Sequence, residues 1–194
     1  ITVEVTRQTK TVTDALAQQE AVADTQVRFD EFLAELDQAR IRSSFPDEED
    51  VSEDAKLAFE HVRKALALFN LDRPDPLPQS PPHFSERLPW ARGWHRENGE
   101  WPLQALREGT FELLLIAADM ERWLALDKSD DLRTAAAKRS LEWTAKAKSL
   151  GISSQALLAR EANYLQDAGR SEEAKQVFEE AKFLEPETAL DFYL

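Results

Sequence analysis

The sequence predicts an all-α fold, and three observations support that prediction. The 194 residues include only 5 Gly, and 7 of the 9 Pro fall between Pro74 and Pro102, so the rest of the chain is almost free of helix breakers. Outside that window apolar residues recur at three- and four-residue steps, the period of an amphipathic helix. Hydrophobic residues make up 42% and charged residues 31%, a balance that allows a buried core without metal or disulfide bonds.

Residues 1–70 are predicted to form an antiparallel helical hairpin. Ile1 to Thr13 is rich in β-branched residues, which is compatible with a short strand; an extended lead-in is favoured because no other segment offers a strand partner. The first helix is expected from Asp14 to about Arg42 and the second from Glu53 to Phe69. The acidic run 47–50 separates them, which is typical of a helical hairpin.

Residues 71–109 are predicted to form a connector rich in Pro and Trp. Proline excludes helix from Leu71 to Pro82, so a loop with polyproline character is expected there. Trp90, Trp94 and Trp101 follow, with short helical turns and a longer helix resuming near Pro102. We expect the three rings to pack this segment onto the helices through apolar contacts. The alternative is that they form an aromatic patch that binds a ligand.

Residues 110–194 are predicted to form helical hairpins. A strongly apolar helix is expected from Thr110 to Leu126, followed by a polar turn in which Ser129 or Asp130 is a natural N-cap. The next helix is expected from Leu132 to Leu150, and Gly151 follows it in the position where glycine commonly ends a helix.

Small, glycine and aromatic residues recur in the last 40 positions at the spacing of a 34-residue helix–turn–helix unit: Ala162, Gly169, Ala174, Phe178, Ala181, Leu184 and Pro186. Residues 155–188 therefore resemble a tetratricopeptide repeat, and residues 187–194 resemble the opening of another. Ala162 and Ala174 allow close helix packing, and Gly169 allows a positive φ. Ser171 is expected to cap the second helix, and Phe178 to fill the gap toward a following hairpin. The family's usual aromatic residues are replaced by Leu158 and Leu165.

The resemblance implies an α-solenoid that binds a protein or peptide along a concave face, lined by the first helix of each hairpin. Carried onto this sequence, the partner-binding candidates are Ala156, Ala159, Asn163 and Gln166. Asn163 stands where the family often holds a peptide backbone. Ala159 replaces the lysine of carboxylate-clamping members, so a neutral or apolar peptide is expected. Packing of these residues against a neighbouring hairpin is the alternative.

A second resemblance covers the segments before the repeat. The order RFDEFLAELDQARIR, DAKLAFEHVRKALALFNLD and LQALREGTFELLLIAADMERW is similar to regions that lie C-terminal to bacterial serine/threonine kinase domains, particularly in planctomycetes. No kinase motif occurs within the chain. The chain opens with Ile and stops within a repeat, so we expect it to be a fragment of a longer protein.

Charge and composition argue against several classes of partner. The net charge of −13 disfavours nucleic acid and anionic membranes, both of which recruit clustered Lys and Arg. The absence of Cys excludes disulfides, thiol catalysis and cysteine–zinc sites. The longest strongly apolar stretch, Leu113 to Ala118, is too short to span a bilayer. A cytoplasmic location is expected, and oligomeric state is left open.

The sequence offers little for catalysis or metal binding. His61, His83 and His95 lack the helix-fixed spacing of a zinc site, and we interpret His95 as part of a polar loop. The acids at 127–131 begin like a calcium loop, but Leu132 stands where that loop requires glycine. No nucleophile motif or Gly-rich phosphate loop is present, so no cofactor and no enzyme activity are expected.

One pair of carboxylates is a possible exception. Glu112 and Asp119 lie seven residues apart on an apolar helix, where two facing acids could act as an acid/base pair. We favour the interpretation that they lie on the solvent-exposed face of that helix.

Two functional classes remain. The first is a non-catalytic adaptor or scaffold that binds a peptide or helix of a partner protein. The second is a regulatory or sensory region of a larger serine/threonine kinase, where the helices relay signals or oligomerise. A coiled coil formed by the helix from Asp14 onward favours the second class, but its apolar stripe lasts barely two heptads. The first class is preferred.

Overall fold

The protein is all-helical across residues 2–44, 51–72 and 101–185, which the computed structural model describes; no strand occurs in these ranges. The six helices there are α1 (Thr2–Ser44), α2 (Val51–Leu68), α3 (Trp101–Trp123), α4 (Asp130–Ser149), α5 (Gln155–Asp167) and α6 (Ser171–Lys182). Each helix packs on the next along the chain, and α1 also contacts α3. The all-α prediction is confirmed for this part of the chain.

The first helix is longer than the sequence predicts. α1 begins at Thr2, so the expected strand or extended lead-in over residues 1–13 is wrong. β-branched residues disfavour helix only by about 0.5 kcal/mol each, and an extended segment without a strand partner leaves its backbone groups unpaired. Helix continuing N-terminally from Asp14 satisfies those groups within the segment itself.

The largest core lies among α1, α2 and α3. α1 buries Phe29, Phe32 and Leu36 against the other two helices. Phe32 meets Phe69 edge to face, with 5.9 Å between ring centroids. An added Cβ on Gly109 of α3 would lie 2.8 Å from Cε1 of Phe32, so the absence of a side chain there allows α3 to approach α1 closely.

The course of α3 corrects one predicted boundary. The helix begins at Trp101, close to the expected resumption near Pro102, and passes through Gly109 without interruption. The division at 109/110 is therefore not a helix boundary. α3 ends at Trp123 rather than Leu126, because residues 124–127 form turns. Of the predicted connector, residues 73–100 lie outside the described ranges, as do the run 45–50 and Pro186.

Two helix ends are closed by the same hydrogen-bond pattern. After α2, Asn70 takes a φ of 55° and Leu71 N–H donates to the Leu66 carbonyl. After α5, Gly169 takes a φ of 77°, and Arg170 N–H donates to the Leu165 carbonyl. This is the Schellman pattern, which pairs carbonyls left open at a helix end. The positive φ expected at Gly169 is confirmed.

Capping at three other ends is mixed. Ser129 occupies the N-cap position of α4, but its side chain makes no capping bond. Ser171 is the first residue of α6 rather than its cap; Arg170 holds that position, and its guanidinium binds Glu173 instead. At the other end of α4, Gly151 takes a φ of 67°, as its predicted position requires.

Candidate functional site

Side chains of α3 and α5 meet across a gap beside α4, the helix that packs against both. The Asp119 carboxylate on α3 accepts a hydrogen bond from the Tyr164 hydroxyl at 2.6 Å and another from Arg160 Nε at 2.9 Å. Both donors belong to α5. Residues four apart lie on the same side of a helix, so both side chains reach the same carboxylate. Asp119 therefore fixes the position of α5 relative to α3.

Tyr164 is a hydrogen-bond donor in this arrangement. It is only 1% exposed, and burial together with the neighbouring Asp119 charge raises the pKa of its hydroxyl well above the ordinary value. The phenol therefore stays protonated and donates to the carboxylate. Since Asp119 already accepts from two donors, neither side chain is arranged to abstract a proton from a substrate.

A cleft of about 490 Å³ opens at the end of this gap. It lies where the end of α3 and the start of α4 meet the last turn of α5. Arg122 Nε donates to Asp167 at 2.6 Å and so joins the two sides of the cleft. The lining residues are Arg122, Leu126, Asp130, Arg133, Thr134 and Asp167.

The lining favours a neutral partner chain. Arg122 pairs with Asp167, and Arg133 pairs with Asp130, so the charges of the two arginines and two aspartates cancel. Leu126 is 48% exposed and offers an apolar surface among them. Small-molecule pockets of this volume are usually lined mainly by apolar side chains. This lining is likewise more apolar than polar, but its paired Arg and Asp side chains also present donors and acceptors of the kind that a peptide backbone pairs with.

The four predicted partner-binding residues have different environments. Ala156 is fully buried, so its side chain is not accessible, and Ala159 is part-buried. Asn163 and Gln166 are exposed. Asn163 stands four residues before Asp167, on the same side of α5, so it lies one helical turn from the cleft.

The acid/base interpretation of Glu112 and Asp119 is wrong, because each carboxylate binds a different neighbouring helix. Glu112 accepts two hydrogen bonds at 2.6 Å from the Arg40 guanidinium on α1. These bonds raise the pKa of Arg40 above its ordinary value. Both acids are partly exposed, and they tie α3 to α1 and to α5.

The remaining catalytic and metal-binding candidates are the three histidines and the tryptophans. His61 is bonded through Nδ1 to Glu35 at 2.6 Å, which links α2 to α1. Within residues 2–44, 51–72 and 101–185, no group of three or more His, Asp or Glu side chains is placed to hold a metal ion. His83, His95, Trp90 and Trp94 lie outside the described residues, and so does the side chain of Trp101.

Arg122, Arg133 and Asp167 were missed by sequence reasoning. Each stands near a helix end, where charged residues are ordinary, so none carries a distinctive signal. Asp119 does carry one, because a single acid within the apolar run of α3 requires a donor on a neighbouring helix. Tyr164 and Arg160 were identifiable as donors only once α5 was known to pack beside α3.

Comparison of the chain with protein-family models, with curated proteins and with solved structures gives no match. Among the helices described, none combines the length and apolar character needed to cross a bilayer.

Proposed function

We propose that this chain is a non-catalytic interaction module that binds a peptide of a partner protein at the cleft between α3 and α5. The observation that carries the proposal is this charge-balanced cleft one turn from Asn163, a residue that the tetratricopeptide resemblance marks as a backbone ligand. The bound segment runs along the gap, packs an apolar side chain on Leu126 and pairs its backbone with Asn163.

The geometry of the α5–α6 hairpin supports the repeat assignment within this proposal. Ala162 and Ala174 are both buried, as close packing of two repeat helices requires. Gly169 supplies the left-handed turn between them. α3–α4 and α5–α6 are two consecutive hairpins, and hydrogen bonds from Arg160 and Tyr164 to Asp119 connect their first helices. The first helices of neighbouring hairpins line the face on which repeat proteins bind peptides.

The test begins with a random peptide library selected on the immobilised chain, followed by calorimetry with the enriched peptides. Asn163→Ala is expected to weaken binding about fivefold to thirtyfold, the equivalent of one lost hydrogen bond of about 1–2 kcal/mol. Lys64→Ala serves as the control, because Lys64 is exposed on α2, a helix that contributes no residue to the cleft lining. Enriched peptides that bind the wild type and Asn163→Ala equally would contradict the proposed site.

A regulatory region of a larger bacterial serine/threonine kinase is the second candidate. The 43-residue length of α1 favours it, since a helix of that length is suited to relaying a signal between domains. Top-down mass spectrometry of the intact native protein, which reads any sequence beyond Ile1 and Leu194, distinguishes the two. A catalytic domain in the same polypeptide supports regulation, whereas helical repeats alone support an adaptor.

A further inference from the structure

The outward face of α1 carries a second apolar stripe, opposite the stripe that packs into the core. It consists of Leu16, Ala23, Val27, Ala34 and Ile41, all exposed. At about 100° per residue these five positions fall within about 40° of arc, roughly opposite the buried face of Phe29, Phe32 and Leu36. The stripe extends for about 37 Å along the helix axis. We refer to these five residues as the α1 outer stripe.

The spacing of the outer stripe distinguishes it from scattered surface residues. Leu16 and Val27 are 11 residues apart, and so are Ala23 and Ala34. An 11-residue period is close to three turns of an α-helix, so the stripe runs nearly parallel to the axis. Leu16, Val27 and Ile41 are 55%, 64% and 57% exposed, and no described residue covers them. A straight apolar row of this kind matches the face of another helix.

The segment of α1 from Thr13 to Ala21 lies outside the packed core. Between Thr13 and Ala21, every residue whose side chain is described is exposed. An isolated helix gains little stability in water without packing. Leu16 lies in this part of α1, so a partner helix on the outer stripe would supply packing that the described chain does not.

The charges beside the stripe define the chemistry of the partner. Glu20 and Glu31 flank one edge, and Asp30 and Asp37 flank the other. No Lys or Arg lies between them and the stripe. The nearest arginines are Arg28, Arg40 and Arg42. Arg28 is held by Asp24 and Arg42 by Asp54, and Arg40 pairs with Glu112 and with Asp37 of the second edge. Both edges are therefore acidic.

A second copy of this chain does not complement that pattern. In a parallel pair each edge meets the opposite edge of the partner, and in an antiparallel pair each edge meets its own equivalent. Both arrangements place carboxylates against carboxylates, which is unfavourable. An anionic membrane surface is disfavoured for the same reason.

We propose that the α1 outer stripe docks an amphipathic helix of another protein, one whose apolar row is flanked by Lys and Arg. This surface shares no residue with the cleft, so the proposal does not depend on peptide binding there. Partner selection follows from the charges at the two edges, as in paired helices where flanking residues set partner choice.

Two synthetic helical peptides test the proposal against the full chain by fluorescence anisotropy. Each has about 25 residues, enough to cover the stripe, and the same Leu and Ile row; one has Lys at all flanking positions and the other Glu. The wild type is expected to bind the Lys peptide at least about tenfold more tightly. Equal binding of the two peptides, or binding of neither, overturns the proposal.

Variants of exposed residues locate the site. Val27→Glu is expected to weaken the Lys peptide at least about tenfold, by placing a charge in the apolar row. The double variant Glu20→Lys/Glu31→Lys makes one edge basic and leaves the other acidic, so it is expected to abolish the preference for the Lys peptide. Glu60→Lys/Glu142→Lys is the control, because it changes the net charge by the same amount at exposed positions of α2 and α4. This control is expected to retain the preference for the Lys peptide. Unchanged binding in Val27→Glu, or loss of the preference in the control variant as well, refutes docking on the stripe.

Sedimentation measurements decide between the proposed partner and the other occupants. The wild-type chain and Val27→Glu are expected to show the same degree of self-association. They are also expected to bind equally to vesicles containing anionic lipid. A dimer or vesicle complex that Val27→Glu dissolves would assign the stripe to a second copy or to a membrane, and would overturn the proposal.

Discussion

The α1–α3 layer and the α5–α6 hairpin are both helical but are stabilised by different kinds of side chain. The first buries large rings, among them Phe29, Phe32, Phe69 and Phe111. In the hairpin, α6 buries only the small residues Ala174 and Ala181, whereas the larger buried side chains, Leu158, Tyr164 and Leu165, all belong to α5. Within the described residues, α6 contributes nothing to the main hydrophobic cluster, which reaches no further than Leu157 of α5. Burial scales with side-chain area, so most of the hydrophobic stabilisation lies in the first region.

This difference separates the part that maintains the fold from the part proposed to bind. α6 packs principally on α5, and α5 is joined to α3 by polar bonds at Asp119 and Asp167. Segments with fewer buried apolar contacts open at lower free energy than the core. We therefore expect amide exchange to be faster in α6 than in α2 or in the middle of α3, with α5 between them.

Removal of one ring from the first region has the largest expected effect. Phe32→Ala should lower the free energy of unfolding by about 3–5 kcal/mol, because it leaves a cavity where Phe69 now packs. Denaturant melts followed by circular dichroism measure the change. Phe178→Ala is the matched control in the hairpin, since Phe178 is 50% exposed and should cost far less. Similar losses for the two variants would contradict the assignment of stability to the first region.

Addition of volume at the same place tests how closely α1 and α3 approach. Gly109→Val should destabilise the protein by about 1–3 kcal/mol through overpacking, since a Cβ there would lie 2.8 Å from the Phe32 ring. Phe32→Leu removes the ring atoms that make this contact. The double variant should therefore recover part of the loss caused by Gly109→Val, measured as a double-mutant cycle. Strict additivity of the two changes would show that no such contact exists.

The two regions also differ in what the sequence reveals. The core could be predicted because Phe29, Phe32 and Leu36 repeat at helical spacing, and the period is a local property of the chain. The left-handed turn at Gly169 was also predictable, because the position of the glycine within the repeat spacing is likewise a local property of the chain. The roles of Arg122 and Asp167 were not, because they depend on which helix ends meet after packing. The repeat pattern likewise marked Ala156 as accessible, whereas the packing of α4 and α6 on α5 leaves it buried.

The hairpin turn should be sensitive to backbone conformation rather than to volume. Gly169 takes a φ of 77° and an added Cβ would meet no atom within 4 Å, so a side chain has space but not a favourable conformation. Gly169→Val should cost about 1–2 kcal/mol, whereas Gly169→Asn should cost less, because Asn tolerates the left-handed region. In Gly169→Val, the amide exchange rates of α6 should rise more than those of α2. Equal stability of the Val and Asn variants would rule out a strained backbone as the cause.

The smallest effect is expected at Tyr164, which joins the two regions through Asp119. Tyr164→Phe should cost about 1 kcal/mol near neutral pH, because Arg160 still satisfies the carboxylate. The raised pKa of Tyr164 predicts a further, pH-dependent difference. Above about pH 10, the ordinary tyrosine pKa, the unfolded chain loses the Tyr164 proton while the folded chain keeps it, so wild-type stability falls as pH rises.

Tyr164→Phe has no such proton to lose, so its stability should decline less over the same alkaline range. Denaturant melts of both proteins at increasing pH measure this difference, and phenolate absorbance identifies the ionising group. If the two melting curves shifted in parallel through the alkaline range, Tyr164 would have to ionise as easily in the folded chain as in the unfolded one. The hydrogen bond to Asp119 could then not be what holds α5 against α3, and the apolar contacts of Leu157 with the core would have to do so.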